Sequence, residues 1–252
     1  MPEERRLEEQ LISQEAERRL SNQLDEAEQI DVNVQTDLFK IVQGQADGVS
    51  LSGKGLVFKE NIRVQDIKLQ TDSIAVNPFS AIFGQIEFNA PVNAIARIVM
   101  TESDINQALK SEFVQNSAKN YDLNVEGEIV RFEIQNMQLS FPENNKIEFQ
   151  GLMTITEKGK SRPLGFTARF QPRIYANPII LESFDCHQGE GVSLELVLAL
   201  MQKVKELINL PDFTWEGTKF KIINMEVKQH HLILLVETQI RQIPPSISEI
   251  TN

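Results

Sequence analysis

Alternation with a period of two dominates this chain. Ile30, Val32 and Val34 alternate with polar residues, and Val92, Ala94, Ala96 and Ile98 repeat the pattern. So do Val130, Phe132 and Ile134, then Leu164, Phe166, Ala168 and Phe170, then Leu232, Leu234, Val236 and Ile240. Successive side chains of a strand point to opposite faces, so these runs predict strands with one apolar and one polar face. Ile62 and Val64 set a phase that Ile67 and Leu69 break, and the slip at Gln65-Asp66 predicts a bulge. Short polar connections such as "PENNK" at 142–146 predict an antiparallel meander. The fold class is α+β: a long twisted antiparallel β-sheet curled around α-helices.

Three segments carry a helical period instead. Leu7, Leu11, Ile12, Ala16, Leu20 and Leu24 recur at about four-residue spacing, predicting a helix from Pro2 to Glu28 that docks its narrow stripe on the sheet. With nine acidic and four basic side chains in residues 1–28, it is not a cationic membrane anchor; a partner-binding coiled coil is the other reading. Thr101, with Asp104 three positions on, predicts a capped helix over 101–119. The run "LELVLALMQKVKELI" predicts a helix over 193–209 whose first turns are apolar nearly all round, so that it is enclosed on most sides or lines a cavity. "DLNVEG" (122–127) and "DFTWEG" (212–217) follow these two helices, and each leads into a strand bearing Asn-Met, at 136–137 and 224–225. A helix–strand–strand repeat over about 101–141 and 191–227 follows. The division expected is 1–28 N-terminal amphipathic helix, 29–241 α+β domain and 242–252 tail.

Composition removes several function classes. The 252 residues are 41% hydrophobic, enough for a substantial core, and predict one large domain with two as the close alternative. With 25 Lys and Arg against 36 Asp and Glu, the formal charge of −11 opposes a nucleic-acid role, which needs clustered cations. Cys186 stands alone, so no intrachain disulfide is expected. "MPEERRLEEQ" lacks the basic start and apolar core of a signal peptide, and no run approaches the roughly 18 apolar residues of a membrane span. The expected location is cytoplasmic with peripheral membrane contact, unless a leader was trimmed.

Catalytic and metal motifs fare poorly. "GVSLSGKG" (48–55) has phosphate-loop spacing, but Gly55 stands where Mg²⁺ needs Ser or Thr, and a β-hairpin turn is the expectation. His230 and His231 are adjacent in a strand-like run and point apart, while His187 directly follows Cys186; neither spacing builds a metal or thiol–imidazole site. No catalytic residue, metal or cofactor is expected. The stretch 158–173 carries Lys158, Lys160, Arg162, Arg169 and Arg173 without an acid. Its first three cations fall in a Gly/Pro-containing turn suited to a phosphate, against the alternative of a basic, aggregation-guarding edge strand. "NPFSAIFGQIEF" (77–88) sets Phe79, Ile82 and Phe83 between turn residues without a charge. They either contact a membrane or form a satellite core.

"SNQLDEAEQIDVNVQTDLFKIVQGQADGVSLSGKGLV", "LQTDSIAVNPFSAIFGQIEF", "ARIVMTESDIN" and "EFVQ" together resemble the bacterial LmeA-like phospholipid-binding family, in its cyanobacterial type. The resemblance spans about residues 20–241, and its strongest marker is the Asn-Pro-Phe-Ser-Ala segment. It implies an elongated fold similar to one half of a tubular lipid-binding protein, with apolar cavities that accept phospholipid. The function expected is non-catalytic sheltering of acyl chains with transient membrane contact, serving lipid transfer or membrane homeostasis. Phe79, Ile82, Phe83, Leu196, Leu200 and Val204 are the expected lipid or membrane contacts, and Lys158, Lys160 and Arg162 the headgroup contacts. Phospholipid and a membrane surface are the expected partners; the sequence names no protein partner. The alternative is a protein-interaction scaffold with a fully packed core, and an enzyme acting on lipid is a third reading.

Overall fold

The period-two runs form strands, and every strand pairing among the described residues is antiparallel. A computed structural model describes residues 7–22, 24–58, 62–76, 87–112, 121–142, 145–175, 177–187, 192–209, 212–215 and 218–242. In chain order the elements are α1 (Leu7–Ser21), β1 (Gln29–Gln35), α2 (Leu38–Val42), β2 (Gln45–Ala46), β3 (Gly48–Phe58), β4 (Ile62–Thr71), β5 (Ile74–Ala75) and β6 (Glu87–Thr101). Then come α3 (Glu102–Ala108), β7 (Tyr121–Val125), β8 (Glu128–Ser140), β9 (Ile147–Glu157), β10 (Lys160–Gln171), β11 (Ile180–His187), α4 (Leu194–Ile208), β12 (Phe213–Trp215), β13 (Thr218–Lys228) and β14 (His231–Gln242). One sheet has seven strands in the order β1-β3-β4-β6-β14-β13-β12; a second is the meander β7 to β11; β2 and β5 form a short ribbon. The β6–β14 pairing joins the two ends of the chain within the larger sheet, so the five-stranded meander is inserted between them.

Register explains the cores. Val32, Leu51, Leu69, Ala96 and Val236 fall opposite one another across five strands, so one face of the seven-stranded sheet is apolar. In the meander Phe132 lies opposite Ile155, and Ile134, Met153 and Leu164 form a row. Val130, Ile155 and Leu164 are almost wholly buried, in a core that takes in Leu196 and Leu200 of α4. The Phe166 ring lies over Gly151, where an added Cβ would stand 2.5 Å from the Asn136 carbonyl oxygen and 2.8 Å from the ring. The sheet curls as a half-barrel, and α4 packs against both β7 and β11, its edge strands.

The edges explain the helices. Along α1, Glu17, Ser13 and Glu9 accept hydrogen bonds from the backbone N–H groups of Val32 (2.9 Å), Val34 (3.0 Å) and Thr36 (3.3 Å) on and beside β1. Unpaired N–H groups of an edge strand invite aggregation, and here a row of polar side chains satisfies them. Of the apolar stripe expected to dock, Ile12, Ala16 and Leu20 are half-buried and Leu24, beyond the helix end, packs on the core of Leu56, Val64 and Ile67; Leu7 and Leu11 are exposed. The helix stops at Ser21 rather than Glu28, because Asp25 and Glu26 pair with Val57. On the far side, β12 covers only the start of β13. Loops of the meander serve the rest: Val227 N–H donates to Asn145 Oδ1 (2.6 Å), and Met225 N–H to the Arg173 carbonyl (2.8 Å). These bonds fasten one sheet to the other.

α3 carries the expected cap: Asp104 N–H donates to Thr101 Oγ1 (3.0 Å) and Thr101 N–H to Asp104 Oδ2 (3.1 Å). It runs to Ala108, and residues 113–119 of the helix expected here lie outside the described residues. Asp104 also accepts from Arg63 (3.3 Å), whose other nitrogen reaches Glu28 (2.7 Å). Asn106 exchanges two hydrogen bonds with the backbone of Leu139 (2.7 and 2.8 Å), holding α3 to β8.

Several sequence expectations are corrected. Residues 48–55 are not a hairpin turn but the interior of β3, where Gly55 takes a positive φ of 56° against Glu28. That single left-handed residue within a continuous strand also accounts for the slip in β4. Val64 and Ile67 are both buried, yet pairing with β3 continues unshifted from Lys54↔Asp66 to Leu56↔Val64, so both strands change phase together and no one-strand bulge forms. β10 is an interior strand between β9 and β11, not an edge. His230 lies with Gln229 in the tight turn before β14, both at positive φ, rather than in a strand.

Candidate functional site

α4 has two apolar faces. Ser193 caps it, accepting from Leu196 N–H (3.2 Å), and Asn209 closes it by exchanging hydrogen bonds with the backbone of Ile179 (2.9 and 3.1 Å). Inward, Leu196 and Leu200 are buried and Val204 packs half-buried against the meander's core. Outward, Leu194 and Leu198 are 68% and 55% exposed. Leu198 joins Met201, Lys205 and Asn209 along an open groove of about 550 Å³. The helix expected to be enclosed on most sides therefore has one solvent-facing apolar side, because it crosses the meander as a single layer.

A second open groove, of about 720 Å³, lies on the polar face of the seven-stranded sheet and is lined by Ser50, Ser52, Lys68, Gln70, Ile95 and Arg97, among others. Lys68 and Arg97 stand directly opposite each other on β4 and β6. Like charges so placed destabilise a sheet, and Asp66, 3.4 Å from Arg97, offsets part of that cost.

The basic stretch sits at a hairpin tip. Lys158 and Gly159, at φ 49° and 75°, form the two-residue turn between β9 and β10, and positive φ at both central residues suits the twist of the flanking strands. Lys158 stands 3.7 Å from Glu128 and Arg162 3.4 Å from Glu157, while Lys160 is exposed. Farther along β10, Arg169 bonds Glu148, and that hydrogen bond, with a second from Gln150, holds the Glu148 carboxyl below its usual range. Three of the five cations thus face carboxylates of this same chain. Burial, and secondarily the Asp185 carboxylate, pushes the Cys186 thiol up, away from a reactive thiolate.

Phe79, Ile82 and Phe83 lie outside the described residues. The chain enters that segment from Val76 and leaves it toward Phe88, and these two residues pair as an isolated bridge. Beside Val76 stands a feature that sequence reasoning missed. α2, "LFKIV", has no buried residue, and Leu38, Phe39 and Val42 are 60%, 84% and 80% exposed. A five-residue apolar run is too short to show a period; the available signal was Asp37, an N-cap residue directly before it.

Among the described residues no three His, Cys, Asp or Glu side chains could hold a metal ion, and no helix is long and apolar enough to cross a membrane. The family model described as LmeA-like phospholipid-binding matches residues 4–237. The chain belongs to the LmeA-like phospholipid-binding family. That match spans the edge-covering helix α1, α2, α4 and both sheets except the last five residues of β14. No curated protein and no solved structure matches the chain.

Proposed function

We propose that this protein binds phospholipid without catalysis, sheltering acyl chains between α4 and the concave face of the meander and touching membranes transiently. Membership of a phospholipid-binding family over residues 4–237 carries the reading. The geometry of α4 is consistent with it. α4 lies across the sheet as one layer, capped by its own Ser193 and tied to the Ile179 backbone by Asn209, with Leu196, Leu200 and Val204 on the face that acyl chains would meet. Two acyl chains hold roughly 30 methylenes, and at about 0.8 kcal/mol each their exposure to water would cost on the order of 20 kcal/mol. A carrier must therefore line its cavity with carbon throughout; the inward faces of α4 and the meander, packed on each other through Leu196 and Leu200, would supply that lining on parting. In this reading Lys158, Lys160 and Arg162 at the hairpin tip meet the headgroup phosphate, and Phe79, Ile82 and Phe83 enter the bilayer surface.

The architecture proposed is one half of a tubular lipid-binding fold, with residues 1–28 as an edge-covering segment, 29–241 as the lipid-binding body and 242–252 as a tail. A duplicated helix–strand–strand unit is part of it. Two features support that duplication: register shifts fall at Ile134/Asn136 in β8 and at Ile222/Asn224 in β13, and the side-chain oxygens of Asn136 and Asn224 each accept a backbone N–H.

Native mass spectrometry and lipid extraction of gently purified protein test the function. Phospholipid should co-purify and exchange with vesicles. Protein repeatedly free of lipid, with no uptake from vesicles, would instead favour a scaffold with a packed core.

A further inference from the structure

We infer that α2 is a rigid docking tip that inserts Leu38, Phe39 and Val42 into the surface of a zwitterionic phospholipid bilayer. The choice of lipid as occupant rests on the phospholipid-binding reading above; the tip itself rests on its construction.

Among the described residues the tip is fastened at its base. Asp37 accepts from Lys40 N–H (3.0 Å), and Ile41 N–H donates to the Asp37 carbonyl (2.9 Å). Gly44 N–H donates to the Ile41 carbonyl (2.9 Å), and Val76 N–H to the Gly44 carbonyl (2.8 Å). Gly44 takes φ 69°, and a Cβ there would stand 2.6 Å from the Val76 carbonyl oxygen, so only glycine allows this approach. Thr36 Oγ1 donates to the Gln45 carbonyl (2.9 Å), and the β2–β5 ribbon completes the base. The backbone N–H groups of Lys40, Ile41, Gln43 and Gly44 are thus satisfied within the chain while three apolar side chains project, an arrangement that lowers the cost of entering hydrocarbon.

Two observations select a bilayer of low net charge over other occupants. A stable protein partner needs roughly 800 Å² from each side, more than one convex five-residue turn presents, whereas a bilayer accepts any convex apolar tip. Lys40, the one cation of α2, is held by both oxygens of Asp47 (2.6 Å) with Asp37 at 3.7 Å. The tip therefore offers no net positive charge to anionic lipid. Val76, against which Gly44 packs, also leads directly into the segment that the sequence reads as a membrane contact or a satellite core.

The test uses the full chain and phosphatidylcholine vesicles. Single changes Leu38→Ser, Phe39→Ser and Val42→Ser should each weaken co-sedimentation on the order of tenfold, with the melting temperature and the amount of co-purified lipid as in the parent. Salt should change binding little, and added phosphatidylglycerol should not raise it. Phe39→Trp should gain a blue-shifted emission component on vesicles. Unchanged co-sedimentation of all three serine variants, an unshifted Phe39→Trp spectrum, or binding that needs anionic lipid and disappears in salt would each overturn the tip. A parent protein that carries no lipid yet loses vesicle binding on Phe39→Ser would refute the carrier and support the tip. One that carries lipid while the serine variants bind normally would do the reverse.

Discussion

Replacing Ser13 by Ala tests the idea that α1 is a polar cover for a strand edge. Ser13 and Val34 are 3% and 7% exposed, and the Val34 N–H donates to Ser13 Oγ over 3.0 Å. Removing the hydroxyl leaves a buried N–H with no acceptor, which costs about 1–3 kcal/mol. If α1 melts with the body of the fold, a domain this large should lose roughly 2–4 °C of Tm per kcal/mol. If α1 detaches first, Tm holds and the loss appears locally. Amide exchange at Val32, Val34 and Thr36 should then quicken about 5-fold to 150-fold, the same free energy read as an equilibrium constant. Ser13→Thr keeps the hydroxyl and should restore most protection, while Leu11→Ser, on the exposed side, should move stability by less than about 0.5 kcal/mol. Exchange and melting both unchanged in Ser13→Ala, or a Leu11→Ser loss as large as that of Ser13→Ala, would refute the reasoning and return the docking role to the apolar stripe.

Two further outcomes follow from the meander. Arg169 holds Glu148 below the ordinary value of 4.5, so the pair's contribution is fully present above that pH and drains away as pH falls through the lower folded value. Arg169→Met should lower stability at pH 7 and flatten the acid limb of a denaturant-midpoint profile as pH falls below about 4.5; an unchanged limb would show that the pair is idle. Gly151→Ala should cost about 1–3 kcal/mol, because its methyl meets the Asn136 carbonyl and the Phe166 ring, and urea unfolding of this variant checks it.

Strands were legible because each exposes its pattern locally. Val92 to Ile98 and Leu164 to Phe170 alternate as expected and bury the expected sides. Features set by distant neighbours were not legible. Gly55 reads as a turn residue, and only its pairing partners show that the chain runs straight on through it. The stripe of α1 reads as a docking face, yet the bonds that hold the helix come from Glu9, Ser13 and Glu17, whose value depends on an edge strand being unpaired there. Within the candidate site, the burial of Leu196 and Leu200 followed from helical period. The pairing of Lys158 with Glu128 depended on two hairpins meeting, whereas Arg162 meets Glu157 within its own hairpin, and α2 was too brief to announce itself.

The pairing of β6 with β14 also sets an order of assembly. The meander's strand pairings are all between neighbours in sequence, so they can form as soon as they are synthesised, and low contact order favours speed. β6 must wait for a strand made more than a hundred residues later, between Thr101 and His231 at the point where they first meet. During translation its open side is a site for misplaced strands. The early protein is therefore most exposed to aggregation after the small sheet has formed and before the large one has closed.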